Sequence, residues 1–194
     1  MNMNKAALVF APIGILLIFV VIIFFYAMST RNGLVDREQA SDAQWAQVET
    51  QLQRRFDLIP NLVESVKGIF EQEREVFGRL ADARSRYAGA ASATPEARAE
   101  AATQLEGALA RLLVVVENYP QLRSSENVTR LMDELAGTEN RIAVERGRYN
   151  DRVLEYNNKV KKFPSNTIAG MFGFDERAYF TAAPGATVVP TVQF

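Results

Sequence analysis

The sequence contains no cysteine and no histidine among its 194 residues. Without cysteine the chain can form neither a disulfide nor a thiolate metal site, and it offers no thiolate nucleophile. Without histidine it cannot carry imidazole acid–base catalysis, a Ser-His-Asp triad or the Glu-x-x-His ligand pairs of di-iron bundles. Carboxylates alone could bind Mg²⁺ or Ca²⁺, but no spacing makes them converge. We therefore predict a protein that is not an enzyme and uses no cofactor and no metal.

The chain also lacks an excess of charge and a phosphate-binding loop. Lys and Arg number 22 against 23 Asp and Glu, a formal net charge of −1. No basic stripe is interleaved with aromatic residues, so no nucleic-acid partner is expected. The glycines at 170 and 173 follow no predicted strand and lack the Lys-Ser/Thr pair of a phosphate loop.

One segment near the N-terminus lacks charge altogether. Residues 6–28 are rich in Ile, Leu, Val and Phe and hold no charged side chain. As a helix they would reach roughly 34 Å, enough to cross a hydrocarbon core. This pattern predicts a transmembrane anchor whose apolar surface includes the following residues: Ala6, Leu16, Phe19, Phe25 and Met28.

A cleaved signal peptide is the competing interpretation of the same segment. Its apolar region should be shorter and should end in small residues at a cleavage site. Tyr26-Ala27-Met28-Ser29 matches that pattern poorly, which favours a retained anchor. Lys5 flanks the segment on one side, and Arg31 and Arg37 on the other. That count slightly favours a cytoplasmic C-terminal domain, but a long domain translocates largely regardless of such charges.

Long amphipathic stretches follow the anchor. Apolar residues recur there every three or four positions, which predicts four helices. The first ends at residue 59 and the second covers 61–87. The third begins at Thr94-Pro95, and the fourth ends near residue 161. The fourth carries a coiled-coil-like seam of three, four and seven spacing. Such helices with short linkers pack as an antiparallel bundle. We predict an all-α fold: an N-terminal transmembrane helix, an antiparallel four-helix bundle and a short extended C-terminal tail.

The expected domain boundaries follow from these patterns. They are an N-terminal tail at 1–5, the transmembrane helix at 6–30, the helical bundle at 31–165, a short apolar cap at 166–180 and the extended tail at 181–194. Within the cap, the sequence Ile-Ala-Gly-Met-Phe-Gly-Phe at 168–174 is either a lid over the bundle end or a patch that touches membrane or another subunit.

Residues 54–61, Arg-Arg-Phe-Asp-Leu-Ile-Pro-Asn, interrupt the first helical pattern. Pro60 cannot donate a helical hydrogen bond, so the helix is expected to kink or to restart at Asn61. A solvated bend is the simplest interpretation. Helix formation, however, requires neither Arg54 nor Arg55 beside the break. We therefore predict that these arginines, with Asp57, form a buried ion-pair site or a contact between subunits.

A second group of residues recurs at an interval of seven in the fourth helix. Tyr149 and Tyr156 lie on its core face, where a buried hydroxyl would reach a polar partner. Asn150 and Asn157 are expected either to hydrogen-bond across helices and fix register, or to lie exposed on the flank. Phe163-Pro164 then ends the helix.

These two blocks closely resemble the signature of the LemA family of bacterial membrane-anchored helical proteins. The first part of the signature is the motif Gln-Leu-Gln-Arg-Arg-Phe-Asp-Leu-Ile-Pro-Asn. The second part consists of Tyr149-Asn150, Tyr156-Asn157 and Phe163-Pro164-Ser-Asn. The resemblance runs from about residue 34 to residue 194. It implies the anchor-plus-bundle architecture, and a magnetosome-membrane relative in the family suggests a role in membrane organisation.

The resemblance also bears on location and partners. Many family members carry a lipoprotein-type cysteine before the segment that corresponds to residues 32–35, which implies export. This chain has no cysteine and must rely on its spanning helix. We expect a single-pass protein of the bacterial inner membrane with an extracytoplasmic domain, a cytoplasmic domain being the alternative. Family genes often accompany a membrane metalloprotease, so another membrane protein is a candidate partner.

The last residues, Pro190 to Phe194, match a short Pro-x-Val-x-Phe motif with which family members end. Residues 187–194 are expected to pair in extended form with a neighbouring copy and to bury Phe194. Docking within the same subunit is the alternative.

Taken together, these features predict a membrane-anchored, non-enzymatic scaffold that self-associates and organises or remodels the bacterial membrane. The expected partners are membrane lipid and further copies of the chain. The alternative is an adaptor or regulator of another membrane protein.

Overall fold

The computed structural model describes residues 3–181, and these are helical over most of their length. The helices are α1 (Met3–Ser65), α2 (Arg74–Gly89), α3 (Pro95–Glu117), α4 (Pro120–Arg123), α5 (Glu126–Lys161) and α6 (Ser165–Phe172), with a 3₁₀ turn at Lys67–Ile69. No β-strand occurs between residues 3 and 181. The prediction of an all-α chain with one long apolar N-terminal helix is confirmed.

The helix ends follow local sequence rules in α3 and α6. Thr94 caps α3, since its hydroxyl accepts from the Ala97 N–H at 3.4 Å and Pro95 occupies the first position, as expected. Gly173 ends α6 in the left-handed conformation, with φ of 74°. Residues other than glycine rarely adopt that backbone conformation. Gly173 therefore suits this position, where the chain leaves the helix and continues into residues 174–181.

One helix boundary differs from the prediction. The first helix does not end at Ile59: α1 continues through Pro60 to Ser65, and the break falls at residues 66–73. Pro60 is solvent-exposed, whereas Ile59 and Leu62 on either side of it are almost fully buried. We attribute the continuity to this packing, which offsets the single hydrogen bond that proline removes. No new helix therefore starts at Asn61.

The chain divides into two compact units, each with parts of α1 and α5. The first comprises residues up to Ser41 together with Arg152–Arg177. In its core Leu34, Tyr156 and Ala169 are almost completely buried, and Val160 and Phe174 pack against them. Helix α6 is thus held on α1 and α5 through Ala169.

The second unit comprises Asp42–Asp151 together with the residues from Ala178 onward. Segments of α1, α2, α3 and α5 all contribute apolar side chains that are less than 10% exposed. These include Val48, Leu52, Ile59 and Leu62 of α1, Phe77, Leu80 and Tyr87 of α2, Leu105, Leu109 and Leu112 of α3, and Val128, Leu135 and Ile142 of α5.

Candidate functional site

The anchor segment of α1 presents a continuous apolar surface. Between Ile13 and Met28 fourteen large apolar side chains are 37–69% exposed, Leu16, Phe19 and Phe25 among them. Ala6 also lies in α1. The segment is long and apolar enough to cross a membrane. Helices that are apolar on every side are found in protein cores or in membranes.

The two arginines of the 54–61 segment have opposite environments. Arg55 is 4% exposed, whereas Arg54 lies on the surface with Asp57, Pro60 and Asn61. The Asp57 carboxylate accepts a hydrogen bond from Gln53. Of these two arginines, Arg55 is therefore the one that lies in a buried ion-pair site.

The Arg55 guanidinium joins α1 to α3 and α5. Its nitrogens lie 3.5 Å from the Glu106 carboxylate of α3 and 2.5 Å from that of Glu139 of α5. Its Nε donates to the Thr138 hydroxyl at 3.2 Å. Arg146 of α5 pairs with the same Glu106. The guanidiniums of Arg55 and Arg146 thus contact the carboxylates of Glu106 and Glu139. A buried charge needs such partners, because they offset the free energy lost when it leaves water.

A groove of about 310 Å³ opens beside this cluster. Besides Arg55, Glu106 and Glu139, its walls are mostly apolar, with Leu113 and Met132 among them. The described residues contain no group of three or more side chains placed to hold a metal ion. The cluster supplies a charge-balanced connection between helices and no reactive group.

The paired asparagines bind the chain that follows α6, here named the C-terminal strap (residues 174–181). In the first unit the Asn157 amide donates to the Arg177 carbonyl and accepts from the Arg177 N–H, both at 2.9 Å. In the second unit Asn150 makes the same pair of bonds with Phe180, at 3.0 and 2.8 Å. Each amide reproduces the pairing of a neighbouring strand.

Both asparagines therefore bond to backbone of the strap, Asn157 at Arg177 and Asn150 at Phe180. The expectation of bonds across helices, or of exposed flank positions, is wrong because the partner is non-helical backbone.

Aromatic side chains accompany each asparagine. Tyr149 packs edge-on against Trp45 with ring centroids 5.3 Å apart, and its hydroxyl donates to the Ala178 carbonyl at 3.4 Å. Phe180, 4% exposed, also packs against Trp45. In the first unit the Arg177 guanidinium lies over the Tyr156 ring. The prediction that the two tyrosines pack in the core is confirmed.

Sequence reasoning missed Arg177 and Arg98. Arg177 donates to the Ser41 hydroxyl at 2.7 Å and lies 3.3 Å from the Glu38 carboxylate, but nothing in its local sequence marks it. Arg98 is 8% exposed and pairs with Glu49 of α1 at 2.9 Å. Arg98 lies three residues before Ala101 on the buried face of α3, so the helical spacing of the sequence could have predicted its burial.

Arg98 also affects a neighbouring tyrosine. Its guanidinium lies over the Tyr87 ring, 4.9 Å from the centroid. Burial raises the pKa of the Tyr87 hydroxyl, and the nearby Arg98 charge opposes that rise. Tyr87 is therefore neutral across the physiological range and serves as a packing residue.

The remaining predicted residues lie at the C-terminal end of α5 and beyond. Phe163 is 84% exposed, and Pro164 is also at the surface, where α5 has ended. Phe194, with the rest of the tail from residue 182, lies outside the described residues.

Comparison with known proteins gives a consistent result. The LemA family model matches residues 44–194. Magnetosome protein MamQ 2 of Paramagnetospirillum magneticum is 28% identical over 187 residues, covering 84% of this chain and 69% of the relative. Magnetosome protein MamQ of Magnetospirillum gryphiswaldense is 27% identical with the same coverage. Since the family model spans more than half of the sequence, the chain belongs to the LemA family.

Proposed function

We propose that this protein is a single-pass, membrane-anchored scaffold without enzymatic activity, which self-associates and organises or remodels the bacterial membrane. The observation that carries the proposal is the exposed apolar surface of α1 from Ile13 to Met28. In water such a surface would be an aggregation hazard, whereas in a bilayer it is matched by the lipid chains.

Continuity of α1 supports a retained anchor over a cleaved signal. The helix runs without interruption from the apolar segment into the first unit, where Thr30 is 3% exposed and Leu34 is fully buried. A cleavage site near Ser29 would have to lie inside this helix, one residue before the first buried side chain. The anchor and the folded unit are therefore one element, which favours lasting attachment to the membrane.

The helices that follow the anchor support a helical bundle. We propose that α1, α2, α3 and α5 form an antiparallel four-helix bundle between residues 31 and 165, followed by the cap and the tail. In the second unit, ring contact between Phe56 and Tyr87 links α1 to α2, Arg98–Glu49 links α3 to α1, and Arg146–Glu106 links α5 to α3. We propose that this bundle lies on the extracytoplasmic side.

Self-association draws on two further features. The relatives are named as magnetosome proteins, which suggests a role at an organised subcellular structure. Anchoring many copies in one membrane also raises their effective concentration, so weak contacts between copies suffice for assembly. The tail at 187–194 and the 54–61 segment are the proposed assembly elements.

Extraction of membranes at alkaline pH tests the anchor. The full-length protein should stay in the membrane pellet after carbonate treatment, and its intact mass should include residues 6–28. A variant lacking residues 1–28 is the matched control and should leave the membrane. Recovery of a natural species that begins near Ser29 would overturn the proposal.

A further inference from the structure

The first unit carries exposed apolar side chains that its own core does not use. Phe163, in the turn between α5 and α6, is 84% exposed, and Met171 and Phe172 of α6 are 74% and 45% exposed. Ile168 and Ala169 on the same short helix are buried. Helix α6 therefore packs one apolar face inward and offers a second apolar group to its surroundings.

The position of α6 along α1 is fixed by a direct contact. The Arg31 guanidinium of α1 lies over the Phe172 ring, 5.5 Å from its centroid. Arg31 comes three residues after Met28, the last apolar residue of the anchor segment, which corresponds to a rise of about 4.5 Å. This contact places Phe172 beside the Arg31 side chain, near the point where the apolar surface of α1 ends.

A bilayer has a particular environment at that level. Interfacial helices bury their apolar face roughly 5–10 Å into the boundary between headgroups and acyl chains, and basic side chains commonly flank them. Arg31 lies beside Phe172, and exposed Lys161 and Lys162 precede Phe163. Acidic residues are also near, since Lys161 pairs with Glu176. The patch is thus apolar, with three cations and one carboxylate beside it, and its apolar side chains match the acyl chains of lipid.

We propose that Phe163, Met171 and Phe172 form an interfacial foot that enters the lipid headgroup region next to the anchor. The foot would hold the first unit against the membrane surface, so that α1 cannot rotate freely about its own axis. This inference rests on the proposed anchor, because the level of α6 is measured from the end of the apolar segment of α1.

The absence of cysteine makes a site-specific test simple. Single-cysteine variants Met171→Cys, Leu17→Cys and Gln39→Cys of the full chain would carry an environment-sensitive fluorophore in phosphatidylcholine vesicles. Leu17 is the midpoint of residues 6–28, and Gln39 is an exposed residue of α1 about 16 Å beyond Met28. Nitroxide lipids labelled near the headgroup or near the bilayer centre, and iodide in the water, serve as quenchers.

The proposal predicts three different quenching patterns. The Leu17→Cys label should be quenched by the deep nitroxide, the Met171→Cys label by the shallow nitroxide with protection from iodide, and the Gln39→Cys label by iodide alone. Iodide quenching at Met171→Cys equal to that at Gln39→Cys would overturn the foot. Protection from both iodide and nitroxide would also overturn it, since another copy would then cover the patch.

The Leu17→Cys label separates the foot from the anchor. If it is quenched by the deep nitroxide while the Met171→Cys label stays in water, the anchor stands and the foot fails. If the Leu17→Cys label is not quenched by lipid, the anchor proposal fails and the foot fails with it.

Discussion

At the scale of single residues, burial separates Arg54 from Arg55. Adjacent positions on a helix are about 100° apart, so one side chain can point inward while the next points to solvent. The sequence identified both arginines as unnecessary for helix formation, but it could not show which of them faces the core. That distinction depends on Glu106 and Glu139, which lie about 50 and 80 residues further along the chain.

Replacement of each arginine by glutamine should show the difference. Arg55→Gln leaves the half-exposed Glu139 unpaired and Glu106 with Arg146 alone, so we expect a loss of about 2 kcal/mol, or roughly 4–8 °C in Tm. Arg54→Gln is the matched control and should change the free energy of unfolding by less than about 0.5 kcal/mol. Thermal unfolding of the full chain in detergent, followed by circular dichroism, measures both. Equal effects of the two substitutions would contradict the assignment.

The asparagines show a similar limit of sequence reasoning. Their interval of seven marked one helix face, but their partners are backbone atoms of Arg177 and Phe180, which have no side-chain signature. A polar side chain that bonds to backbone leaves no complementary pattern elsewhere in the sequence. The sequence therefore predicted that Asn150 and Asn157 belong together, but it could not predict that they bind the strap backbone.

Hydrogen exchange of the strap tests this role. Asn157→Ala removes both bonds to Arg177, so the Arg177 amide should exchange about thirtyfold faster, since two bonds of about 1 kcal/mol each are lost. Asn158→Ala, a half-buried neighbour, is the control and should leave the peptide at 174–181 unchanged. Exchange at Arg177 that does not respond to Asn157→Ala would show that other contacts hold the strap.

At the scale of elements, Pro60 is the main disagreement between sequence and structure. Proline rules predict that the helix kinks or restarts there. The helix does not restart, and we attribute its continuation to the burial of Ile59 and Leu62 on both sides of Pro60. Local propensity was overridden by tertiary packing, which a single sequence does not reveal. The start of α3 and the end of α5 were predictable because the Thr94 cap, Pro95 and Pro164 are local signals.

Replacing Pro60 by alanine should stabilise the protein. Alanine restores an N–H donor in mid-helix and removes the ring clash, so we expect a gain of up to about 3 kcal/mol. Pro120→Ala is the control: Pro120 is the first residue of α4, where an N–H is not needed, and its replacement should be nearly neutral. Denaturation of both variants in detergent measures the change. A loss of stability in Pro60→Ala would contradict this explanation of the continuous helix.

At the scale of the whole molecule, the apolar segment and the amphipathic helices were both evident from composition and periodicity. What the sequence could not supply is any contact between copies, because an interface has no periodic signal of its own. A scaffold requires that several copies of the chain associate. An adaptor would instead be a monomer held by one stable partner of a different kind.

The mass of the full-length protein in a gentle detergent tests this central claim most directly. Light scattering corrected for bound detergent should give a multiple of the 21.7 kDa chain. Deletion of residues 187–194 should lower that multiple while helicity is unchanged, because the tail is proposed to pair with a neighbouring copy. A mass of a single 21.7 kDa chain for the intact protein would contradict the scaffold.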